Sequence, residues 1–325
     1  GSRIPGYQRV HFSNGGKKGN VAYGTLSTIS ESPFKFGLIY TGSDDGLIHV
    51  TNDGGGNWIN ISNTLPQNLW VSRVIASQHK KERVYATLNG YRFDDFKVYA
   101  YMSDDYGKTW KDISSNIPTS PVNVIREDSE NENILYLGTD NGAYISFNNG
   151  TNWEAFSNGL PNVAVHDIVL QPEAKHLLIG THGRSIYQTD ITPIQQLNSD
   201  MQSKNTTLFK VNGARYSSRW GSAWSKWFDA YEPEIDVTFY SNVSEEKTIQ
   251  VYSEKGALLN EMKVSADKGF NYTTYDLTIT EKGRKALLKE DTSIDISKAK
   301  NGKYYIPKGN YSIQLGGEKT MFDVK

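Results

Sequence analysis

The fold is decided by an eight-residue segment that recurs as TNDGGGNW (51–58), SDDYGKTW (103–110) and SFNNGTNW (146–153). Each copy has Ser or Thr first, Asp or Asn two positions later, Gly four positions later and Trp at the end. We refer to the copies as boxes 1, 2 and 3. Because a recurring segment indicates an array of similar structural units, the boxes predict architecture before any single residue is interpreted.

Each box has the composition of a hairpin turn. An Asp or Asn side chain can accept hydrogen bonds from backbone N–H groups two or more residues on, and Gly permits a positive φ. The Trp opens the next strand and can bury a large flat surface. We therefore predict a structural role for the box residues Asp53, Gly55, Trp58, Asp105, Gly107, Trp110, Asn148, Gly150 and Trp153. The alternative is a catalytic or metal-binding role for the box aspartates, which the amide in box 3 does not favour.

The repeat extends to the sequences around the boxes. Apolar stretches that end in Gly recur at LIYTGSDDG (38–46), ILYLGTDNG (134–142) and LLIGTHGRS (177–185). The loop exits at Pro66, Pro118 and Pro161 recur at a spacing of about 40–50 residues, which is enough for four short strands. Four short strands of this length are typical of one blade of a β-propeller.

We predict an all-β protein with four blade-like units, at 25–63, 69–115, 121–158 and, more weakly, 163–191. Four blades are the lower limit for a closed propeller. We therefore expect these units to be part of a larger propeller, with further blades upstream in the same parent protein. The initial Gly-Ser resembles a cloning remnant. The alternative is a complete small propeller in which residues 7–12 supply the closing strand.

The blade pattern stops after residue 191. We predict an N-terminal segment at 1–24, propeller blades at 25–191, a linker and interdomain aromatic segment at 192–233, and an immunoglobulin-like β-sandwich at 234–325. Strands with alternating apolar and polar residues support the sandwich, and residues 280–290 are predicted to be helical. The aromatic cluster at 219–228 is predicted to fill a domain seam, with an aromatic platform for sugar rings as the alternative.

Composition limits the possible partners. The formal net charge is −1, so no nucleic-acid or membrane-surface partner is expected. No run of about 18 apolar residues is present, so no membrane span is predicted. Cysteine is absent, which excludes disulfides, thiol catalysis and Cys-ligated zinc. We expect no metal and no cofactor, although a structural calcium ion is compatible with the sequence without being indicated by it.

Aligning the repeats gives candidate residues for a site at the mouth of a propeller channel. The starts of the first strands carry Arg73, Asn123, His166 and Asp167, and a following turn carries His182 and Arg184. Arg73, Asn123, His182 and Arg184 are candidates for ligand binding. His166 and Asp167, with Asp94 and Asp95 of the loop at 91–97, are the candidates for catalysis.

Each candidate also has a structural interpretation. Arg73 or Arg184 can pair with carboxylates between blades, and His166 can be a hydrogen-bonded histidine of the core. Asp94 and Asp95 can simply be exposed in their loop, although such a loop can also hold a cation or a sugar.

Taken together, the boxes and the segments TGSDDG, GTHGRSIY, WVSRV and VIRED resemble the bacterial sortilin-like, Asp-box (BNR-repeat) β-propeller proteins. These are often labelled glycosyl hydrolases, and the C-terminal part is similar to the immunoglobulin-like domain that follows such propellers. The chain resembles the C-terminal portion of such a protein. The resemblance implies a bacterial protein that is secreted, periplasmic or on the cell surface, with boxes at the outer rim and away from any active centre.

Three functional hypotheses follow. The first is a non-catalytic module for binding or assembly, with a glycan or an extracellular protein or peptide as its partner. The second, implied by the resemblance, is a glycoside hydrolase of sialidase-like or xyloglucanase-like type that shares its catalytic residues with missing blades. The third is a sortilin-like peptide receptor. Facing carboxylates would favour the second hypothesis, and an apolar or strand-edge wall would favour the third.

Overall fold

The computed structural model describes residues 10–11 and 22–325, with side chains from residue 24 onward. The chain divides into a first unit that runs to Gln195 and a second unit, Gln196–Lys325. Antiparallel sheets dominate both units, so the protein is all-β, as predicted. Of the proposed closing strand at 7–12, only Val10–His11 lies within the described residues, where it pairs with Ala22–Tyr23.

The first unit contains four blade-like sheets in chain order, preceded by the short pair β1 (Val10–His11) and β2 (Ala22–Tyr23). Blade 1 consists of β3 (Leu26–Glu31), β4 (Ile39–Ser43), β5 (Ile48–Thr51) and β6 (Ile59–Asn60). Blade 2 consists of β7 (Trp70–Ala76), β8 (Val84–Gly90), β9 (Asp95–Ser103) and β10 (Lys111–Asp112). Blade 3 consists of β11 (Val122–Glu127), β12 (Leu135–Thr139), β13 (Gly142–Ser146) and β14 (Glu154–Ala155). Blade 4 has three strands, β15 (Val165–Gln171), β16 (His176–Thr181) and β17 (Ile186–Asp190).

Within each blade, consecutive strands are hydrogen-bonded neighbours, and this confirms the prediction of blade-like units. The first strand of each blade also packs against strands of the blade before it, from blade 2 to blade 4. The packed residues are apolar and fully buried, as Val71 and Val74 of β7 and Val124 of β11 illustrate. The missing fourth strand of blade 4 agrees with the absence of a box after β17.

Every first strand has a register shift at the same place. The shifts skip one residue in each blade, and these residues are Ser27, Ser72, Asn123 and His166. A bulge leaves one residue outside the ladder and changes the direction of its side chain. The bulge residue therefore marks an equivalent position in each of the four blades, and the sequence alignment predicted this position for Asn123 and His166.

The boxes form turns that are held by their own side chains. In box 2, the Ser103 hydroxyl donates to Asp105 Oδ1 at 2.7 Å and accepts from Gly107 N at 2.8 Å. The same Asp105 oxygen accepts from Thr109 N at 2.9 Å, and Asp105 Oδ2 accepts from the Thr109 hydroxyl at 2.7 Å. Box 1 repeats this pattern through Asp53.

Box 3 shows that the turn needs an acceptor and no negative charge. Asn148 Oδ1 accepts from the Ser146 hydroxyl at 3.0 Å and from Asn152 N at 2.9 Å. An amide oxygen thus makes the same two bonds as the aspartates of boxes 1 and 2. In box 1, the bonds from the backbone N–H and side chain of Asn57 and from Thr51 hold the pKa of Asp53 well below its usual value.

Boxes 2 and 3 also join each blade to the blade before it. Trp110 Nε1 donates to the carbonyl oxygen of Ile61 in blade 1 at 2.7 Å, and Trp153 Nε1 donates to that of Ile113 in blade 2 at 2.6 Å. Gly150 has φ +77° and lies so close to Ile113 that a Cβ atom would approach the Ile113 Cβ to 2.7 Å. The box residues therefore serve as a turn and as an interface between blades.

A buried carboxylate makes a second connection between blades 2 and 3. Glu127 at the end of β11 accepts from the Ser77 hydroxyl at 2.8 Å, from Gln78 N at 2.6 Å and from the Tyr85 hydroxyl at 2.9 Å. Both Glu127 and Tyr85 are buried. Burial, together with the nearby negative charge of Glu127, raises the pKa of Tyr85 well above its usual value. The phenol therefore stays protonated and remains a donor to Glu127.

The second unit is a sandwich of two antiparallel sheets. One sheet has β18 (Thr206–Leu208), β19 (Ile235–Ser241) and β22 (Gly269–Tyr275), and the other has β20 (Glu245–Ser253), β21 (Leu258–Ala266), β25 (Gly309–Leu315) and β26 (Glu318–Val324). Short strands β23 (Thr278–Ile279) and β24 (Tyr304–Tyr305) form a separate pair. Helix α1 (Thr192–Gln196) lies where the first unit ends along the chain, and the second unit contains α2 (Ser199–Ser203) and α3 (Glu281–Glu290). Helix α3 confirms the predicted helix at 280–290.

A single apolar core holds the sandwich together. Val237 and Phe239 from one sheet, and Ile249, Ile313 and Phe322 from the other, belong to the same buried cluster. Alternating burial along β19 explains why its apolar–polar pattern was readable in the sequence. The immunoglobulin-like topology remains a prediction.

Candidate functional site

The candidate site lies among the first strands of blades 2, 3 and 4. Arg73 on β7 donates through Nη2 to Asp167 Oδ1 at 2.9 Å, and Arg126 on β11 donates through Nη2 to the same oxygen at 3.2 Å. Ile168 N donates to this oxygen at 3.0 Å. Three blades thus contribute to one cluster, which we call the Arg–Asp–Arg cluster. Its three side chains are Arg73, Arg126 and Asp167.

The Arg–Asp–Arg cluster carries more positive than negative charge. Two guanidinium groups share one carboxylate, and the Arg126 side chain is also held by a bond from Nε to the carbonyl oxygen of Ile168 at 2.7 Å. Burial lowers the pKa of Arg126, and the neighbouring charge of Arg73 lowers it further, while Asp167 opposes both effects. The two arginines therefore repel each other, and a single carboxylate compensates for only part of that repulsion.

The cluster is partly open to solvent. The exposed fractions of the side chains are 23% for Arg73, 24% for Arg126 and 47% for Asp167. Arg73 Nε is buried and finds no hydrogen-bond partner within the part of the chain that the structure describes. The interpretation of Arg73 as an ion-pair residue between blades is thus confirmed. Its pairing with Asp167 leaves the Nε donor without an acceptor among the described residues.

A row of polar residues follows the second strands at the same end of the blades. Asp44 N, Asp140 N and His182 N donate to backbone carbonyls just before the first strands of their own blades. In blade 2 the corresponding residue is Asn89, the next-to-last residue of β8, which pairs with Trp70. The row therefore contains one residue from each blade and lies next to the bulge residues.

Asn123 is engaged on both sides of its amide. Its Oδ1 accepts from Asn89 Nδ2 at 2.9 Å, and its Nδ2 donates to Asp140 Oδ1 at 2.8 Å and to the carbonyl oxygen of Val165 at 3.2 Å. Asn123 is also buried. These bonds connect blades 2, 3 and 4, so a ligand would have to compete with them to reach the amide.

The two histidines lie together at the surface of blade 4. The rings of His166 and His182 are 5.1 Å apart, and both residues are exposed. The interpretation of His166 as a core histidine is therefore wrong, although the equivalent bulge residues Ser72 and Asn123 are buried. Arg184 is exposed on the same turn as His182. The structure thus brings His166 and His182 together, as predicted.

The loop at 91–97 has its own internal bonds. Asp94 is exposed and adopts a left-handed conformation at the end of a single 3₁₀ turn, Tyr91–Phe93. Asp95 accepts from the Tyr99 hydroxyl at 2.6 Å, a bond that lowers the pKa of the carboxyl group, and from Lys97 N at 3.1 Å. These contacts make Asp95 a structural residue of the loop and leave Asp94 facing solvent.

Arg126 was not among the predicted site residues. It lies in the segment VIRED that the repeat alignment includes, but three positions beyond the bulge residue Asn123. Its partner Asp167 is 41 positions away in the chain. The local pattern contains no signal for this contact, because only the packing of β11 against β15 brings the two side chains together.

Within residues 24–325, no group of three or more His, Cys, Asp or Glu side chains is arranged to hold a metal ion. Among the described residues, none of the helices is long and apolar enough to cross a membrane.

Comparisons with known proteins find similarity at the level of structure only. No protein-family model matches the chain, and no curated protein matches it. Similar solved structures include an ancestral GH74 enzyme, with 14% identity and a TM-score of 0.41 over 93% of this chain and 42% of that chain. A second is the GH74 xyloglucanase from Xanthomonas campestris, with 10% identity and a TM-score of 0.41 over 92% of this chain and 47% of that chain. A third is the GH74 enzyme from Niastella koreensis, with 12% identity and a TM-score of 0.42 over 92% of this chain and 46% of that chain. The chain spans less than half the length of these proteins.

Proposed function

We propose that the first unit is a non-catalytic propeller module for binding or assembly, and that it takes an acidic group of a glycan or protein ligand at Arg73 and Arg126. The observation that carries the proposal is the convergence of two arginines from adjacent blades on one half-exposed carboxylate. An anionic group of a ligand would reduce the repulsion between the arginines. It could also accept hydrogen bonds from guanidinium N–H groups that do not bond to Asp167.

The bonding of the carboxylates favours binding over hydrolysis. Glycoside hydrolysis requires two carboxyl groups roughly 5–10 Å apart, one of them free to donate or accept a proton. In the cluster, Asp167 is engaged by two arginines, and in the polar row Asp140 accepts from Asn123. Neither carboxylate is arranged as a proton donor. Hydrolysis would be detected as released reducing sugar in the binding screen.

The proposal includes further propeller blades as partners of the first unit. In boxes 2 and 3 the glycine packs on an isoleucine of the preceding blade, whereas a Cβ atom on Gly55 would meet, among the described residues, only Trp58 at 3.8 Å. Ile59, which follows box 1, is 60% exposed. We propose that a preceding blade of the same parent protein covers this side of blade 1. A location outside the cytoplasm, secreted or on the cell surface, completes the proposal.

The test is a binding screen of the full chain on arrays of neutral glycans, acidic glycans and peptides, with released reducing sugar measured for every glycan that binds. We expect binding to acidic glycans or acidic peptides, no released sugar, and a loss of about tenfold in affinity for Arg73→Gln or Arg126→Gln. The control is Lys108→Gln, an exposed cation in box 2. Released sugar would overturn the non-catalytic role, and binding that is insensitive to both arginine substitutions would overturn the site.

A further inference from the structure

The second unit contains a cavity of about 300 Å³. Its walls are the segment 216–222 and the segment 295–307, which a hydrogen bond from Asn301 N to the carbonyl oxygen of Gly221 joins at 3.0 Å. A Cβ atom on Gly221 would approach Asn301 Oδ1 to 2.5 Å, so this close approach of the two walls requires glycine. The volume is at the lower end of the range for small-molecule pockets.

One wall of the cavity contains a buried donor without an acceptor. Trp220 is buried, packs its ring against Tyr216 at 5.2 Å and Tyr305 at 5.9 Å, and lines the cavity. Its Nε1 is buried and has no hydrogen-bond partner among the residues that the structure describes. Trp220 therefore forms part of the cavity wall, while its N–H is shielded from the cavity space.

Other donors line the same cavity. Asn301 Nδ2 donates to the Tyr305 hydroxyl at 2.9 Å, which leaves the phenol proton available to a ligand. Hydroxyl groups that can both donate and accept line the walls as well, from Ser217, Ser218, Ser222 and Ser297. This lining suits a small ligand with several hydroxyl groups and at least one strong acceptor.

The charges around the cavity favour an anionic ligand. Lys298 and Lys300 line it together with one carboxylate, Asp295. Tyr216 also borders a second, shallower depression, which is lined by the cations Arg215, Lys308 and Lys325 and by the carboxylate of Asp323. The residues that line the two depressions thus include five cations and two carboxylates, of which Lys325 and Asp323 pair at 2.7 Å, so the joint surface carries a net positive charge.

An exposed aromatic hairpin extends from the rim of the cavity. Gly221 N donates to the carbonyl oxygen of Tyr231 at 2.7 Å and Tyr231 N donates to that of Ser222 at 3.1 Å, which closes the hairpin beside the cavity wall. Its tip carries Trp224 and Trp227, which are 82% and 81% exposed. Large aromatic side chains at such exposure are uncommon on a surface without a partner.

We propose that the cavity binds an acidic saccharide residue, and that the shallower depression and the aromatic hairpin accommodate the continuation of the same glycan chain. The hydroxyls of the serines and of Tyr305 pair with ring oxygens and hydroxyls, while Lys298 and Lys300 pair with the carboxylate. A nucleobase would need an open aromatic face inside the cavity, and the ring of Trp220 is instead buried between Tyr216 and Tyr305.

The test uses the indole N–H resonances of the 325-residue chain, which has seven tryptophans. The Trp220 signal is assigned by its loss in Trp220→Phe, a change that removes only an unpaired donor and a modest volume. Sodium D-glucuronate is titrated in, with D-glucose and acetate as comparison ligands. We expect a saturable shift of the Trp220 signal with glucuronate, and an affinity about tenfold weaker for glucose, which lacks the carboxylate.

Substitutions at exposed residues keep the test independent of folding. Lys298→Gln and Lys300→Gln should each weaken glucuronate binding several-fold, and Lys319→Gln, an exposed lysine on β26, should leave the affinity unchanged. The proposal is overturned by the absence of a saturable shift, by equal affinity for glucose, or by tighter binding of oligothymidylate at the same resonance. It is also overturned if Arg73→Gln or Arg126→Gln, rather than the lysine changes, abolishes glucuronate binding.

Discussion

Arg73 and Asp167 form an ion pair at 2.9 Å although they belong to the first strands of blades 2 and 4 and lie 94 positions apart in the chain. Arg126 of blade 3 joins the same carboxylate oxygen. The pair therefore spans the blade between them and shows that the first strands of three blades converge. Such a contact can form only if blades 2, 3 and 4 pack with their first strands side by side, so it is a direct test of the arrangement of the blades.

Replacing Asp167 by Ala should destabilise the first unit, because two partly buried guanidinium groups would lose their shared acceptor. We expect a loss of about 1–2 kcal/mol, less than for a fully buried ion pair because all three side chains are partly exposed. The change is measured as a lower midpoint of urea unfolding. Glu173→Gln, at an exposed position in the same blade, is the control. Equal midpoints for both variants would show that the ion pair does not contribute to stability.

The blades could be predicted from the sequence because the residues that form each turn and each strand lie close together in the chain. In a box, the bonding partners Ser103, Asp105, Gly107 and Thr109 lie within seven residues, so the pattern of letters contains the whole hydrogen-bonded turn. Strands between boxes were equally readable from their apolar runs. The function of Trp110 at the blade interface was not readable, because its acceptor on Ile61 is 49 positions away.

Replacing Gly107 by Ala should destabilise the interface between blades 1 and 2. The new Cβ atom would lie closer to Ile61 Cδ1 than van der Waals contact allows, in addition to the strain of φ +86°. Gly55→Ala is a matched control, since it has φ +100° and only Trp58 within 4 Å among the described residues. We expect about 1 kcal/mol for Gly55→Ala and about 2–4 kcal/mol for Gly107→Ala, measured by urea unfolding. Equal losses would contradict the packing of Gly107 on blade 1.

Replacing Asp105 by Asn tests the charge of the box separately from its hydrogen bonds. Burial alone would raise the pKa of Asp105, but the bonds from the Thr109 hydroxyl, the Thr109 N–H and the Ser103 hydroxyl outweigh it, and the pKa lies below its usual value. A lowered pKa in the folded state stabilises the protein above the unfolded value of 3.8, and that stability is lost as the pH falls through the folded value.

The wild-type protein should therefore exceed Asp105→Asn in stability at neutral pH by about 0.5–1 kcal/mol, and this difference should shrink between about pH 5 and pH 2. The measurement is the midpoint of urea unfolding at a series of pH values. Asp105→Ala, which also removes the acceptor, should remain less stable than Asp105→Asn at every pH, because Asn148 of box 3 shows that an amide supports the turn. A difference that grows toward low pH would refute the role of the charge.

Replacing Glu127 by Ala should be among the most destabilising changes in the first unit. Three donors, Ser77 Oγ, Gln78 N and Tyr85 Oη, would lose their acceptor at a buried site. We expect a loss of about 3 kcal/mol, since buried donors would be left unpaired. Glu130→Ala, which removes an exposed pair with Lys175 at 3.1 Å, should cost less than about 1 kcal/mol. Comparable thermal midpoints for the two variants would contradict this account.

The candidate site was only partly predictable. The alignment placed Arg73, His166 and Asp167 at the starts of first strands, and the structure shows that Arg73 and Asp167 each follow the bulge residue of their strand. Arg126 was not predicted, because its contact with Asp167 arises from packing between blades. The cavity beside Trp220 was not predicted for a similar reason, since its second wall comes from residues 295–307, which are distant in sequence from Trp220. Sequence patterns indicate turns and strands, whereas sites assembled from distant segments require the tertiary structure.

The indole bonds of boxes 2 and 3 have a direction along the chain, since each donor lies in a later blade and each acceptor in the blade before it. During synthesis, the acceptor surface is therefore complete before the strand that needs it has been made. Each new blade can form on a finished template, through indole contacts that span 49 and 40 residues. On this basis the first unit is suited to be built vectorially, one blade at a time, as the chain emerges.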